Sequence, residues 1–275
     1  MITKNNWISS NLPDRYDSPE TDFLLTLKPY PFKQLSFEDA VEMTVKEISG
    51  KYSNLHLALS GGYDSEFILR TFHKYNIPIT PVIVLYCNDV EVQYAYKACK
   101  ELGIVPVEVR ITDDQFVNYF YEKIFKKFNG IGFHATHVLF AAEYTEQHNG
   151  TLLTGGHFIG TNHTNISEDW GSTCEWDFYT GYVYPSVNKI DFYLYTVELI
   201  YSMFPDHTEG NWSYYKHKLL NLEYREKIRP VYSKELIQRL RTMLGKREDF
   251  RHIVEYEWAR EEWYSIFEDF LIKES

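Results

Sequence analysis

Residues 55–69, which read LHLALSGGYDSEFIL, leave this chain few choices of fold. The segment begins as a short apolar run of the kind that forms a buried strand. The adjacent glycines Gly61 and Gly62 then allow a sharp turn and a close approach of the backbone to a ligand. Apolar residues recur at helical spacing from Phe67 onward. A strand, a glycine turn and a helix start direct backbone N–H groups and the positive end of a helix at one point, which suits a phosphate or pyrophosphate.

Strands and helices alternate along residues 36–154. Ser36 is predicted to cap a helix that ends near Gly50, and Gly103 is predicted to end a helix over 91–102. Further helices are predicted between the glycine turn and Pro78, from residue 113, and over 134–148. The predicted strands cover residues 55–59, 79–86, 104–111 and 151–154. This alternation predicts an α/β fold with a parallel, doubly wound sheet.

Three regions are predicted along the chain. Residues 1–35 contain four prolines and form an N-terminal arm or short hairpin. Residues 36–189 form the α/β domain, in which 158–189 show no period and are interpreted as a lid loop. Residues 190–275 return to helical patterns and are interpreted as a helical C-terminal part.

Composition narrows the class of protein. The net charge of −11 disfavours nucleic acid as a partner. No run of 18 apolar residues occurs, so no membrane span is expected, and the N-terminus has no apolar core typical of a signal peptide. The three cysteines are widely spaced and form no CxxC motif, which disfavours a four-cysteine zinc site and predicts a reducing, cytoplasmic location.

The glycine turn departs from two common nucleotide-binding motifs. No Gly-Lys-Ser/Thr is present, as a Walker A loop would require, and the third glycine of a dinucleotide-binding fingerprint is missing. A plain turn would explain two glycines alone. The complete string Ser-Gly-Gly-Tyr-Asp-Ser at residues 60–65 resembles the PP-loop of the ATP pyrophosphatases, or adenine nucleotide alpha hydrolase-like proteins. This superfamily includes asparagine synthetases, NAD synthetases, and tRNA thiolation and lysidine enzymes.

Three further segments, 88–104, 134–156 and 222–240, are similar in order and pattern to the synthetase domain of asparagine synthetases. Two features depart from that family. Ile2 follows Met1, so the cysteine nucleophile of a glutaminase domain is absent. The turn after the fourth strand reads TGGHFIG at 154–160, without the family's acidic residues, which disfavours aspartate as the substrate.

The resemblance implies an enzyme that uses ATP and Mg²⁺. A substrate oxygen would attack the α-phosphate to form an adenylate, and ammonia or an amine would then displace AMP. The implied substrates are a small carboxylate and an amine or ammonia, which a separate amidotransferase could supply. Asp64 would hold the metal. The implied catalytic residues are Asp64, Ser65 and Lys246, and the implied ATP-binding residues are Leu59, Ser60, Gly61, Gly62, Asp64, Ser65, Val84, Thr154 and Gly155.

Other candidates have simpler explanations beside them. His157 could contact phosphate or lie in a turn, and Glu168 with Asp169 could replace the missing acids or be solvated loop residues. Two further sets are a histidine metal site and a cationic run that could neutralise pyrophosphate: His134, His137, His157 and His163, and Arg225, Lys227 and Arg229. Beside the ligase, the alternative functions are an adenylating enzyme that modifies nucleic-acid bases and a non-catalytic nucleotide-binding module.

Overall fold

The computed structural model describes residues 3–10, 25–27, 35–86, 89–125, 136–155 and 183–203. A short antiparallel pair near the N-terminus consists of β1 (Ile8–Ser10) and β2 (Leu25–Leu27). The main sheet comprises β3 (Leu55–Ala58), β4 (Thr80–Leu85), β5 (Val107–Arg110), β6 (Thr151–Thr154) and β7 (Asn188–Asp191).

All the neighbouring strands of the main sheet pair in parallel, in the order β5-β4-β3-β6-β7. The α-helices are α1 (Phe37–Lys51), α2 (Tyr63–Lys74), α3 (Asp89–Leu102), α4 (Asp113–Phe120), α5 (Thr136–Gln147) and α6 (Val197–Met203). A π-helical turn over Tyr121–Phe125 follows α4, and a 3₁₀ turn over Phe192–Leu194 follows β7.

The sheet separates two apolar cores. One core packs α1, α2, α3 and α6 against the first face of the sheet. The other packs α4 and α5 against the second face. Successive residues of a strand point to opposite faces, so Leu153 of β6 lies in the first core and Leu152 in the second. Helices on both faces of a parallel sheet confirm the predicted doubly wound α/β fold.

Local signals act as the sequence predicts. The Ser36 hydroxyl accepts a hydrogen bond from the backbone N–H of Asp39 at 3.1 Å and caps α1, which ends at Lys51, one residue from the predicted end. Gly103 follows α3 with a φ of 67°. Because only glycine enters this left-handed region at low cost, it ends the helix there.

The prediction missed the strand β7. The sequence predicts a lid loop over 158–189 and helices from 190 onward, but Asn188–Asp191 pair with β6 along its whole length. The strand has four residues, of which only Ile190 is strongly apolar, so no period is visible in its sequence. Lys189, Ile190 and Asp191 are nonetheless buried. The predicted boundary between residues 189 and 190 therefore falls inside a strand of the sheet.

The N-terminal segment contacts the turn that follows β7. The backbone N–H of Lys4 donates to the carbonyl of Tyr195 at 2.7 Å, and the indole N–H of Trp7 donates to the carbonyl of Leu194 at 3.2 Å. Trp7 is buried in the first core. Within the part of the chain that the structure describes, none of the helices has the length and apolar character needed to cross a bilayer.

A buried histidine in β3 predicts how stability depends on pH. His56 is 2% exposed and its Nδ1 lies 3.2 Å from the Thr145 hydroxyl. Burial, together with the nearby His148, lowers the pKa of His56 below its ordinary value of 6.5. The unfolded chain therefore binds this proton more readily, so stability falls as the pH drops below about 6.5 and recovers above it.

Urea unfolding from about pH 5 to pH 7 measures this effect through the slope of unfolding free energy against pH. His56→Gln is expected to flatten the slope relative to the wild type. His73→Gln, which changes an exposed histidine of α2, should leave the slope as it was. Equal slopes in all three proteins would contradict the assignment of the pH dependence to His56.

Candidate nucleotide-binding site

The glycine turn lies at the point where the order of the strands in the sheet reverses. From β3 the chain proceeds to β4 and β5 on one side, and it then crosses to β6 and β7 on the other. The carboxyl ends of β3 and β6 therefore flank a crevice, and ligands of open α/β sheets bind at such a place. The loop formed by Leu59, Ser60, Gly61 and Gly62 joins β3 to α2 there.

Gly61 has a conformation that other residues rarely adopt. Its φ is 95°, and a Cβ atom at this position would lie 2.1 Å from the carbonyl oxygen of Glu91 in α3. Only glycine therefore satisfies both the backbone angle and the space. Gly62 is the N-cap residue of α2 and provides no side-chain acceptor for the first turn. The N–H groups of that turn and the positive end of the helix therefore lie close to the carboxyl end of β3, as an anion site would require.

Two serines hold the shape of the loop. The Ser65 hydroxyl donates to the Gly62 carbonyl at 3.1 Å and accepts from the backbone N–H of Ser60 at 3.3 Å. The Ser60 hydroxyl accepts from the backbone N–H of Gly62 at 3.2 Å, and the two hydroxyl oxygens are 3.3 Å apart. These bonds are internal to the loop. The hydroxyls predicted to bind phosphate therefore also preorganise the turn around it.

Gly155, directly after β6, packs against the residues that follow this loop. A Cβ atom built on Gly155 would lie 2.9 Å from the Asp64 Cβ and 3.2 Å from the Ser65 backbone nitrogen. The turn after β6 therefore lies directly against the first turn of α2. The adjacent Thr154 is 3% exposed, and its hydroxyl has no hydrogen-bond partner within the described ranges. A buried polar atom beside the crevice fits a site whose remaining partner is a ligand.

The structure places the predicted ATP-binding residues around one edge of the sheet. Asp64 lies half-buried in the first turn of α2, beside the loop and Gly155. The Leu59 side chain lies in the first core, and that of Val84, on the neighbouring strand β4, lies in the second core. Both residues can therefore offer mainly backbone atoms to a ligand. The backbone N–H of Leu59 already donates to the Val82 carbonyl at 2.9 Å.

Several predicted residues lie outside the described ranges. Among them is Lys246, the third predicted catalytic residue, and the others are His134, His157, His163, Glu168, Asp169, Arg225, Lys227 and Arg229. Of the four histidines proposed as a metal site, only His137 is described, and its ring stacks on Tyr86 with the centroids 5.9 Å apart.

The donor set around Asp64 suits Mg²⁺ in the manner common to nucleotide enzymes. Across the described residues no group of three or more histidine, cysteine, aspartate or glutamate side chains could hold a metal ion. Mg²⁺ often needs only one or two carboxylates, because substrate phosphates and water complete its six ligands. A single carboxylate from Asp64, beside the glycine loop, fits that arrangement.

Tyr193, after β7, also contacts the first turn of α2. Its hydroxyl donates to the backbone carbonyl of Asp64 at 3.0 Å, and Asp191 accepts the backbone N–H of Tyr193 at 3.2 Å. Tyr193 lies 129 residues from Asp64 and is one of 23 tyrosines, so no local pattern singles it out.

Comparisons with known proteins identify similar structures but no matching sequence. No protein-family model and no curated protein matches the chain. A glutamine-dependent NAD+ synthetase from Acinetobacter baumannii, solved with ADP, has a TM-score of 0.35 and 16% identity over 50% of this chain, which spans 31% of that protein. An NMN synthetase from Francisella tularensis has a TM-score of 0.36 and 12% identity, over 79% of this chain and 96% of that one.

A third structure, a predicted subunit of tRNA methyltransferase from Methanocaldococcus jannaschii, has a TM-score of 0.37 and 12% identity. The match covers 70% of this chain and 87% of that protein. All three scores lie below 0.5, so these likenesses carry no weight for activity. The α/β class of this chain rests on its own five-stranded parallel sheet and the helices on both faces.

Proposed function

We propose that the chain is an ATP-dependent, AMP-forming ligase of the PP-loop type, related to the synthetase domain of asparagine synthetases. The observation that carries the proposal is the loop over residues 59–62, which lies at the crevice between β3 and β6 and leads into the first turn of α2. Gly61 gives this loop a shape that no other residue would allow. The sequence of residues 60–65 matches the motif that the PP-loop enzymes use for the same purpose.

ATP binds in this proposal with its triphosphate on the loop and its adenine against the strand ends. The N–H groups at the start of α2 and the hydroxyls of Ser60 and Ser65 face the phosphates. The backbones of Leu59, Val84 and Gly155, with the Thr154 hydroxyl, line the adenine side. The Asp64 carboxylate would hold Mg²⁺, which would supply charge neutralisation for the departing pyrophosphate.

The reaction has two steps. A carboxylate oxygen of the substrate attacks the α-phosphorus, and the bond from that phosphorus to the bridging oxygen breaks, which releases pyrophosphate and leaves an acyl adenylate. The nitrogen of ammonia or an amine then attacks the acyl carbon, AMP leaves with the bonding electrons, and the nitrogen loses a proton to give an amide. The loop contributes mainly position and charge stabilisation to the first step. A separate amidotransferase could supply the ammonia.

A non-catalytic nucleotide-binding module is the second candidate. The stretch over residues 154–160 carries no acidic residue, and such residues are present in the asparagine synthetases. Asp64 and Ser65 favour the ligase, because a module that only binds nucleotide has no need of a metal-binding carboxylate at the phosphates. The adenylating modification of nucleic-acid bases is disfavoured by the net charge of −11.

Asp64→Asn tests the proposal against a matched control. The full chain is incubated with Mg²⁺-ATP, a pool of small carboxylates and ammonia, and the nucleotides are separated by chromatography. The wild type is expected to release AMP and pyrophosphate, and Asp64→Asn should lower the rate by about a hundredfold because the developing charge loses its metal ligand. Asp114→Asn removes the carboxylate at the equivalent second position of α4 and should retain the wild-type rate.

Two results would contradict the ligase. Release of ADP and phosphate would exclude cleavage at the α-phosphate. Tight ATP binding without AMP formation for any carboxylate would favour the non-catalytic module, and equal rates for the two aspartate variants would remove Asp64 from the mechanism.

A further inference from the structure

We propose that Tyr193 is a positioning residue of the nucleotide site, whose hydroxyl holds the peptide group between Asp64 and Ser65 in the orientation that ATP requires. This inference rests on the proposed ATP-dependent function. Tyr193 follows strand β7 and lies outside the nucleotide-binding motif at residues 60–65.

The contacts converge on one planar group. The Asp64 carbonyl and the Ser65 N–H belong to the same peptide plane, which moves as a unit. The Tyr193 hydroxyl is 3.0 Å from the oxygen of that plane. A Cβ atom on Gly155 would lie 3.1 Å from its carbon and 3.2 Å from its nitrogen. The plane lies in the first turn of α2, and in addition to the helix it is held by a hydrogen bond from Tyr193 and by close packing from Gly155.

Fixing this plane determines where two predicted catalytic side chains point. The Asp64 side chain leaves the Cα atom at one end of the plane, and the Ser65 side chain leaves the Cα atom at the other end. Ser65 also bonds to Gly62 and Ser60, so a rotation of the plane would disturb the phosphate-facing loop. Small displacements at a reacting centre lower the rate strongly, because the reactive geometry is then reached less often.

The surroundings keep Tyr193 in the role of a donor. The side chain is fully buried, and its ring packs against Phe67 of α2 with the centroids 6.1 Å apart. Burial raises the pKa of Tyr193 well above its ordinary value, and the nearby Asp191 acts in the same direction. The hydroxyl therefore keeps its proton over the whole physiological pH range. Asp191 also accepts the backbone N–H of Tyr193, which holds the turn in place.

Tyr193→Phe removes the hydroxyl and leaves the ring in the core. Tyr195→Phe is the matched control, because Tyr195 is 1% exposed, directly follows the same turn, and directs its hydroxyl to Tyr52 and not to the loop. Two measurements are made on the full chain: steady-state kinetics of AMP formation, and hydrogen exchange of the peptide over residues 60–70. Exchange needs no ATP, so it reports the contact even where turnover is absent.

We expect Tyr193→Phe to lower kcat about tenfold with a smaller change in KM for ATP, because the hydroxyl acts on the alignment of bound ATP and not on its uptake. Exchange over residues 60–70 should rise several-fold, while exchange in α1 stays as in the wild type. Tyr195→Phe should leave kcat and this exchange unchanged.

Three outcomes would overturn the inference. Unchanged exchange over residues 60–70 would show that the hydroxyl does not hold the loop. Raised exchange with an unchanged kcat would show that holding the loop does not matter to the reaction. Equal effects from Tyr195→Phe would reduce Tyr193 to a general core residue. A wild type that binds ATP and never forms AMP would contradict the proposed ligase activity. Hydrogen exchange and ATP affinity in the two variants would then decide the positioning role.

Discussion

Replacing Gly61 by alanine is expected to abolish ATP binding and to lower the free energy of unfolding by about 3 kcal/mol. Two separate costs add. The φ of 95° is strained for any residue with a side chain, and the new Cβ atom would lie 2.1 Å from the carbonyl oxygen of Glu91. That oxygen belongs to the backbone of α3, so it cannot rotate away as a side chain could. The loop must then shift, and the N–H groups that we propose as phosphate ligands shift with it.

Gly103→Ala separates the two costs. Gly103 also has a positive φ, 67°, but a Cβ atom there would meet nothing within 4 Å. This control is therefore expected to lose about 1 kcal/mol from strain and to bind ATP as the wild type does. Gly50→Ala, in a helix with open space around it, should raise the free energy of unfolding by about 0.5–1 kcal/mol. Urea unfolding and ATP titration give both quantities, and a Gly61 variant that loses no more than the Gly103 variant would disprove the close approach to α3.

Arg70→Met is expected to lower the free energy of unfolding by about 3 kcal/mol. Arg70 of α2 donates from Nε to Glu66 at 2.7 Å, and it also bonds to Glu101 of α3. The Glu66 side chain is only 6% exposed, whereas that of Arg70 is 19% exposed. Removing the guanidinium leaves a buried carboxylate without this cation, and burial of an uncompensated charge is costly.

The double variant Glu66→Gln with Arg70→Met tests that reason. Because it removes the buried charge together with its partner, it should recover much of the loss. Lys46→Met removes the same kind of pair, with Glu42, from an exposed face of α1 and should leave the free energy of unfolding close to that of the wild type, because water screens exposed charges. Thermal or urea unfolding measures all three variants. A Lys46 variant as unstable as the Arg70 variant would show that burial does not explain the effect of the pair between Arg70 and Glu66.

The parts of the fold that the sequence predicts well depend on contacts between near neighbours in the chain. The cap at Ser36, the left-handed glycine at Gly103 and the loop around Gly61 each arise within a few residues. The apolar runs of β3, β4 and β6 reflect burial on both faces of a parallel sheet, and β5, at the edge of the sheet, alternates half-buried and exposed residues. The remaining strand, β7, carries too few apolar residues to form such a run. Its strand conformation is stabilised by pairing with β6.

The candidate site divides in the same way. From the sequence alone, residues 55–69 establish a strand, a tight glycine turn and a helix start, because backbone angles and helix polarity follow from local residue types. The tertiary structure alone decides what surrounds that loop. Gly155 reaches it from β6, and Tyr193 reaches it across 129 residues from the turn after β7. Such contacts depend on the order of strands in the sheet, which brings distant parts of the chain to one edge and leaves no periodic trace in the sequence.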